Sequence, residues 1–233
     1  MLRPFLRRWR GRMTRLATGS AGWGDLRSFS PLDAYDGARR GQPIDRYYID
    51  EFLARWSADV RGVVLETGHS EYSRRFGGGR VTRSEVLHAV AGNRRATIVG
   101  DLARGGTLPP ATFDCIVLTQ TLQYVESPAD ALRACRDALA PGGSLLLSAP
   151  SLSRLSDVDR AETGEYWRFT ADSITALMAS LFGRERVLVE APGNLVAATA
   201  FLHGIAAEEL SEDELRHRDP RYALVVLARG VRA

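Results

Sequence analysis

From Gly62 onward, short apolar runs rich in β-branched residues alternate with stretches of helical periodicity, and this alternation restricts the fold more than any other feature. The runs are Val63-Val64-Leu65, Arg80–Ser84, Ala96–Val99, Cys115–Leu118, Ser144–Ala149, Val187–Glu190 and Tyr222–Arg229. Cys115–Leu118 is the most apolar and is expected at the centre of the sheet, covered on both faces. Between the runs, Ala131, Leu132, Cys135 and Leu139 form a helical stripe that Ser127 can cap, Pro128 can open and Pro141-Gly142-Gly143 can end. Thr170 can cap a second helix with the stripe Ile174, Leu177, Met178 and Leu181, and Leu195–Leu210 reads as an alanine-rich helix. Strands alternating with helices predict a parallel sheet wound on both faces by right-handed crossovers.

In such sheets ligands bind beyond the carboxyl ends of the strands, where the strand order reverses. That rule puts Glu66–Tyr72, Glu85, Asp101 and Thr119–Gln123 on one rim. Gly68 lets backbone approach a ligand without a Cβ in the way. Glu85, nineteen residues after Glu66, is read as the end of the second strand, where a carboxylate supplies the bidentate acceptor that a ribose diol needs. Asp101, after the third run, suits an exocyclic amine such as that of adenine. Acids at strand ends are often merely solvated; three at successive strand ends favour a nucleoside site over coincidence.

Composition closes off several chemistries. All 31 basic residues are arginine, so no lysine can form a Schiff base, hold pyridoxal phosphate or serve a phosphate-binding loop. Six of those arginines fall within residues 1–15, which contain no acid, and the rest of the chain carries a net charge of −3. A body of that sign argues against a nucleic-acid groove. Cys115 and Cys135 form no CxxC pair and the histidines His69, His88, His203 and His217 are scattered, so no metal site is expected and a reduced cytoplasmic setting suits the thiols. No stretch is long and charge-free enough to span a bilayer.

Leu2, Phe5, Leu6, Trp9, Met13 and Leu16 recur at helical spacing among the tail arginines. Residues 1–16 therefore read either as a basic amphipathic helix for a membrane or protein surface, or as a terminal helix packed on its own domain. Residues 17–43, rich in Gly, Ser, Asp and Pro, read as a linker, and Ile44, Tyr48, Phe52 and Trp56 open a domain over 44–233 with a helix.

Five motifs in order resemble the class I S-adenosylmethionine-dependent methyltransferases: Val64-Leu65-Glu66-Thr67-Gly68, Ser84-Glu85-Val86, Gly100-Asp101-Leu102, Phe113-Asp114-Cys115-Ile116-Val117 and Ala138-Leu139-Ala140-Pro141-Gly142-Gly143. The series is most similar to the type 11 branch, which includes enzymes of bacterial sugar and natural-product pathways, and Tyr166-Trp167-Arg168-Phe169-Thr170 is similar to a later piece of it. The resemblance implies a Rossmann-like α/β fold of seven strands, mostly parallel, with the last inserted antiparallel beside the fifth. It also implies S-adenosylmethionine as cofactor, held by Glu66, Gly68, Tyr72, Glu85, Val86, Asp101, Leu102, Thr119 and Gln120. One departure stands out. Gly68 is followed by His69, Ser70, Glu71 and Tyr72 where the family carries further glycines, and Gly77-Gly78-Gly79 comes too late for the same turn.

Methyl transfer is an in-line displacement that requires alignment above all, and a hydroxyl acceptor also needs a base. His69 and His203 are the base candidates, because imidazole titrates near neutrality. Tyr166, Trp167 and Arg168 are candidates for an acceptor wall, with aromatic faces for a sugar and a guanidinium for a phosphate or carboxylate. The expected function is methyl transfer to an oxygen or nitrogen of a small, sugar-containing or natural-product molecule. The alternative is a silent methyltransferase-fold scaffold, which the altered loop and the arginine tail motivate. A small-molecule acceptor, the surface met by residues 1–16 and a second copy of the chain in a homodimer are the partners these features leave open.

Overall fold

A computed structural model describes residues 28–156 and 163–233. Residues 1–16, read as a basic amphipathic helix or a terminal helix packed on its own domain, lie outside the described residues. By internal contacts the chain forms two compact units. One comprises the chain up to Asp50 with Leu152–Arg154 and Pro192–Val225; the other comprises Glu51–Ser151, Leu155–Ala191 and Val226–Ala233.

The larger unit is built on the sheet. Its strands are β1 (Gly62–Thr67), β2 (Val81–His88), β3 (Ile98–Val99), β4 (Phe113–Thr119), β5 (Leu139–Pro150), β6 (Val187–Glu190) and β7 (Val225–Val231), whose first residue lies in the other unit. The order is β3-β2-β1-β4-β5-β7-β6, with β1 to β5 parallel and β7 antiparallel to β6. This is the expected seven-stranded, Rossmann-like α/β sheet, with β7 beside β5 and β4 in the middle. Strand order reverses between β1 and β4, so their carboxyl ends flank the crevice such a sheet offers to ligands.

Burial explains why β4 is central. Ile116 and Leu118 join Leu65, Leu145 and Leu147 in one cluster with Leu132, Cys135, Ile174, Met178 and Phe182. The alternate residues Val64, Cys115, Val117 and Leu146 are equally buried on the opposite face. Helix α2 (Pro128–Ala138) contributes Leu132 and Cys135, and helix α3 (Ala171–Phe182) contributes Ile174, Met178 and Phe182. Thr170 caps α3 in a reciprocal box with Ser173. Ser127 precedes α2 with Pro128 in the first turn, but its hydroxyl donates to the Asp130 carboxylate at 2.7 Å and leaves the backbone uncapped.

Several boundaries differ from the sequence reading: β5 begins at Leu139, read as the last residue of the α2 stripe, and so takes in Pro141-Gly142-Gly143, and β3 is only Ile98–Val99. β2 runs through His88 rather than ending at Ser84, because Val86 and Leu87 are buried and hydrogen-bonded ladder residues. The final strand begins at Val225, since Pro220–Tyr222 form a single 3-10 turn. The alanine-rich helix ends at Leu202, because Gly204 adopts φ 70° and its Cα faces the Asp33 carbonyl too closely for any side chain.

The smaller unit contains the start of helix α1 (Ile44–Arg55), helix α4 (Leu195–Leu202) and the short helix α5 (Glu212–Arg216). Asn194 caps α4 and also donates to the carbonyls of Glu214 and His217. The Arg40 guanidinium forks onto Glu209 at 2.9 and 2.6 Å, both side chains being buried.

Candidate active site

The carboxyl end of β1 is organised by a carboxylate that faces inward. Glu66 is fully buried, accepts hydrogen bonds from Tyr72 N–H at 3.1 Å, Ser73 N–H at 2.8 Å and Ser73 Oγ–H at 2.6 Å, and lies 2.7 Å from His69 Nδ1. Three donors and an imidazole thus surround a carboxylate that faces the loop. Glu66 therefore pins the loop that follows β1.

Gly68 shapes the turn that follows β1. Its φ is 77°, a region that side-chain-bearing residues rarely adopt, and a Cβ built there meets no atom within 4 Å. Its N–H donates to Leu87 C=O at 2.9 Å and its own carbonyl accepts from Asn93 Nδ2 at 2.8 Å. The turn is thus held on both sides with an open approach to its backbone. The side chains that replace further glycines stand beside it: His69 lies 5.7 Å from the Tyr72 ring, which stacks on Phe76 at 6.1 Å. Residues Ser73–Gly77 form a single π-turn, and Gly77 packs so closely on Val60 and Val81 that a methyl group would collide.

The ribose carboxylate expected at the end of β2 is not there. Glu85 opposes Leu65 while Glu66 opposes Val86, and because side chains alternate along a strand the two acids project from opposite faces of the sheet. Glu85 instead pairs with Arg83 Nε at 3.1 Å. The residue at the strand end is His88, whose Nδ1 lies 2.9 Å from the Val90 carbonyl. That contact puts the proton of the neutral ring on Nδ1 and leaves Nε2 as an acceptor.

Asp101 does sit beyond β3, exposed on the rim. It accepts the Ala103 N–H at 2.9 Å within its own turn and lies 3.6 Å from Arg104 Nε. Glu66, Glu85 and Asp101 therefore have three separate sets of partners and do not converge. Val86 and Leu102 are buried at about the level of the core, each 4% exposed.

At the end of β4 the expected rim is present. Gln120 takes φ 47°, an uncommon conformation for a side-chain-bearing residue, fixed by its N–H donating to Ser148 C=O at 2.9 Å and Ser148 Oγ at 3.1 Å. Thr121 Oγ1 lies 3.0 Å from Thr119 C=O and 2.8 Å from Thr67 Oγ1, so the ends of β4 and β1 are tied across the crevice. Gln123 is buried, donates Nε2 to Gln120 C=O at 3.1 Å, and leaves Oε1 without a hydrogen-bond partner among the described residues. Nothing in the spacing of Ser148, His88 and Asn93 marks them as site residues; strand register brings the first two to the rim, and Asn93 reaches it by its bond to Gly68 C=O.

Tyr166 and Trp167 are anchored yet exposed. Tyr166 N–H donates to Gln123 C=O at 2.7 Å and its hydroxyl to Glu126 at 3.1 Å, while Trp167 Nε1 donates to Val125 C=O at 2.9 Å. The bond to Glu126 holds the Tyr166 phenol above its usual pKa. Their rings remain 47% and 42% exposed, an unusual state for large aromatics held at their polar ends. Arg168 differs from its expected role as an anion clamp. It pairs with Glu165 at 2.7 Å and donates to Trp167 C=O at 2.8 Å, so it braces this loop. His203 lies in the smaller unit, just past the end of α4, where its carbonyl accepts the Leu32 N–H at 2.8 Å. Among the described residues no group of His, Cys, Asp and Glu is arranged to hold a metal ion.

Comparison with known proteins agrees with this architecture. A family profile described as "Methyltransferase domain" matches residues 28–184. An S-adenosylmethionine-dependent methyltransferase from Archaeoglobus fulgidus superposes with a TM-score of 0.54 at 13% identity, covering 86% of this chain and 100% of that one. The [4+2]-cyclase SpnF superposes with a TM-score of 0.51 at 15% identity, covering 98% of this chain and 95% of that one. No curated protein matches the sequence. At these identities the two structures speak to the fold alone.

Proposed function

This chain belongs to the methyltransferase-domain family, whose cofactor is S-adenosylmethionine, and from that premise we propose that it methylates an oxygen or nitrogen of a small molecule. The observation that carries the reading is the crevice between the ends of β1 and β4. There Gly68 follows β1 with open space beside its backbone, Gln120 follows β4 at the strained φ of 47°, and the buried Oε1 of Gln123, three residues on, has no hydrogen-bond partner among the described residues. A buried acceptor without a donor costs roughly 1–3 kcal/mol, and a hydroxyl or amine of a bound ligand would remove that penalty. The residues fit the cofactor at this point. Gly68, Tyr72, Thr119 and Gln120 are the groups that would hold it, with Asp101 and His88 on the adenosine side. His88 Nε2 offers a single acceptor where the family usually presents a carboxylate.

When bound, S-adenosylmethionine supplies a methyl group already activated on sulfur. The remaining work is alignment and proton removal. Tyr166 and Trp167 offer rings to an acceptor with apolar or sugar faces, the basis for reading it as a sugar-containing or natural-product intermediate. His69, half-exposed beside Gly68, is the base this reading favours. The unpaired, buried Cys115 and Cys135 suit a reducing compartment, and a cytoplasmic enzyme is the setting they support. No helix among the described residues is long and apolar enough to cross a membrane. A second copy of the chain in a homodimer is tested by measurement of the oligomeric state.

The absence of an acid at the end of β2 favours a second reading, a catalytically silent methyltransferase-fold scaffold that does not hold the cofactor. Calorimetry with S-adenosylmethionine and S-adenosylhomocysteine separates the two. The enzyme is expected to bind both at micromolar concentration. Gly68→Val, which forces a β-branched residue to positive φ and blocks the approach, is expected to weaken binding at least about tenfold with the circular-dichroism spectrum retained. No heat at about millimolar ligand would leave only the scaffold.

A further inference from the structure

We propose that Glu66 is the positioning residue of a carboxylate–imidazole pair in which His69 removes the acceptor's proton, and this rests on the methyl-transfer reading above. The geometry has the three parts that such a pair needs. The carboxylate is fixed: Glu66 is fully buried and held by Tyr72 N–H, Ser73 N–H and Ser73 Oγ–H, so it does not swing with the loop. The contact is short, 2.7 Å from Oε1 to His69 Nδ1. The far nitrogen is free: Nε2 makes no hydrogen bond among the described residues and the side chain is 40% exposed on the rim beside Gly68.

The tautomer follows from the partners. A carboxylate cannot donate, so a 2.7 Å approach requires the proton on Nδ1. The Glu71 N–H also points at Nδ1, at 3.3 Å, but a protonated nitrogen has no lone pair for it. The shorter, charge-assisted contact decides, and Nε2 is left as the basic atom. Tyr72, whose ring lies 5.7 Å from the imidazole and stacks on Phe76, walls the ring on one side. In the reaction His69 Nε2 takes the proton of the acceptor hydroxyl as the oxygen lone pair bonds to the methyl carbon, and the C–S bonding pair stays with sulfur. The resulting imidazolium is balanced by Glu66. The arrangement explains why side chains replace glycines after Gly68: an imidazole three residues from the strand-end acid reaches back to it, which glycine cannot do.

The test reads one ring in the full-length protein and needs no acceptor. Long-range proton–nitrogen spectra from about pH 6 to 9, with His69 assigned by its loss in His69→Asn, are expected to show the neutral ring protonated on Nδ1. Protonation on Nε2 overturns the pair. Glu66→Gln places an amide N–H₂ among four donors and can fail to fold; where it folds, the Nδ1–H preference is expected to fall at least about tenfold, and an unchanged preference overturns the role of Glu66. Diethyl pyrocarbonate, which modifies bare Nε2, places the ring functionally. S-adenosylhomocysteine at about millimolar concentration is expected to slow modification of His69 at least about fivefold. Undiminished modification in protein that calorimetry shows to be loaded overturns the catalytic placement of His69. Absence of any binding instead overturns the methyl-transfer reading, and the base role with it, whatever the tautomer.

Discussion

Glu66 and Glu85 illustrate how one residue type takes opposite roles at neighbouring positions. Both were expected to face a nucleoside, yet a one-residue step in the β1–β2 register sends them to opposite faces. Glu66 is enclosed and satisfied, and Glu85 is left to Arg83. The thiols show the same dependence on surroundings. Burial pushes Cys135 up to about 12 and Cys115 higher still, with the acids Asp59, Asp114 and Glu66 adding to the latter shift. Below the unfolded thiol pKa both states are protonated and the thiols contribute nothing to pH dependence. Above it the unfolded chain alone ionises, so stability falls as pH rises toward the folded values, by about 1.4 kcal/mol per pH unit for each thiol. Urea unfolding at pH 8 and pH 10 is expected to show this loss, and Cys115→Ala with Cys135→Ala should flatten it. A slope that survives both replacements would assign it to other groups.

At the scale of elements, the crevice is set by strand ends and by what holds the segments after them. α3 is a supporting case, because its Ile174, Met178 and Phe182 pack in the same cluster as β4 and β5. Its start depends on the Thr170–Ser173 box, in which Thr170 Oγ1 accepts the Ser173 N–H at 3.1 Å and Ser173 Oγ accepts the Thr170 N–H at 3.0 Å. Thr170→Ala is expected to cost about 1 kcal/mol and lower the melting temperature by roughly 2–4 °C. Scanning calorimetry checks this, and an unchanged melting temperature would show that α3 is held by packing alone. Helix starts such as this one were legible in the sequence, because a cap is a local hydrogen bond. The end of α4 was not, because the close approach of Gly204 to Asp33 is a contact between distant segments.

For the molecule as a whole, charge and site are separated along the chain. Six arginines lie in residues 1–15, whereas the strand-end residues of the crevice lie between 62 and 150. Deleting residues 1–15 is therefore expected to leave the S-adenosylhomocysteine affinity within about twofold of the full-length value by calorimetry. Co-sedimentation with anionic vesicles at low salt then distinguishes the two readings of the tail. Loss of binding on deletion marks a surface-binding segment, with each arginine worth about 1 kcal/mol near such a surface, and no binding by either protein marks a tail that serves its own domain. A tenfold loss of cofactor affinity on deletion would mean that the tail helps to form the site.

The amino-acid sequence by itself determined the fold class, the seven strands and the central place of Cys115–Leu118. It could do so because apolar periodicity, caps and strand-end glycines act over a few residues, and because parallel sheets accept few topologies. Only the tertiary structure decided which acids reach the rim, since facing depends on pairing register and a shift of one residue reverses every side chain. It likewise turned Glu66 inward onto His69, drew Arg168 to Glu165 and set Tyr166 and Trp167 on the carbonyls of Gln123 and Val125. A charged side chain settles on whichever partner the folded chain brings within about 3 Å, and that distance is not written in the order of its neighbours.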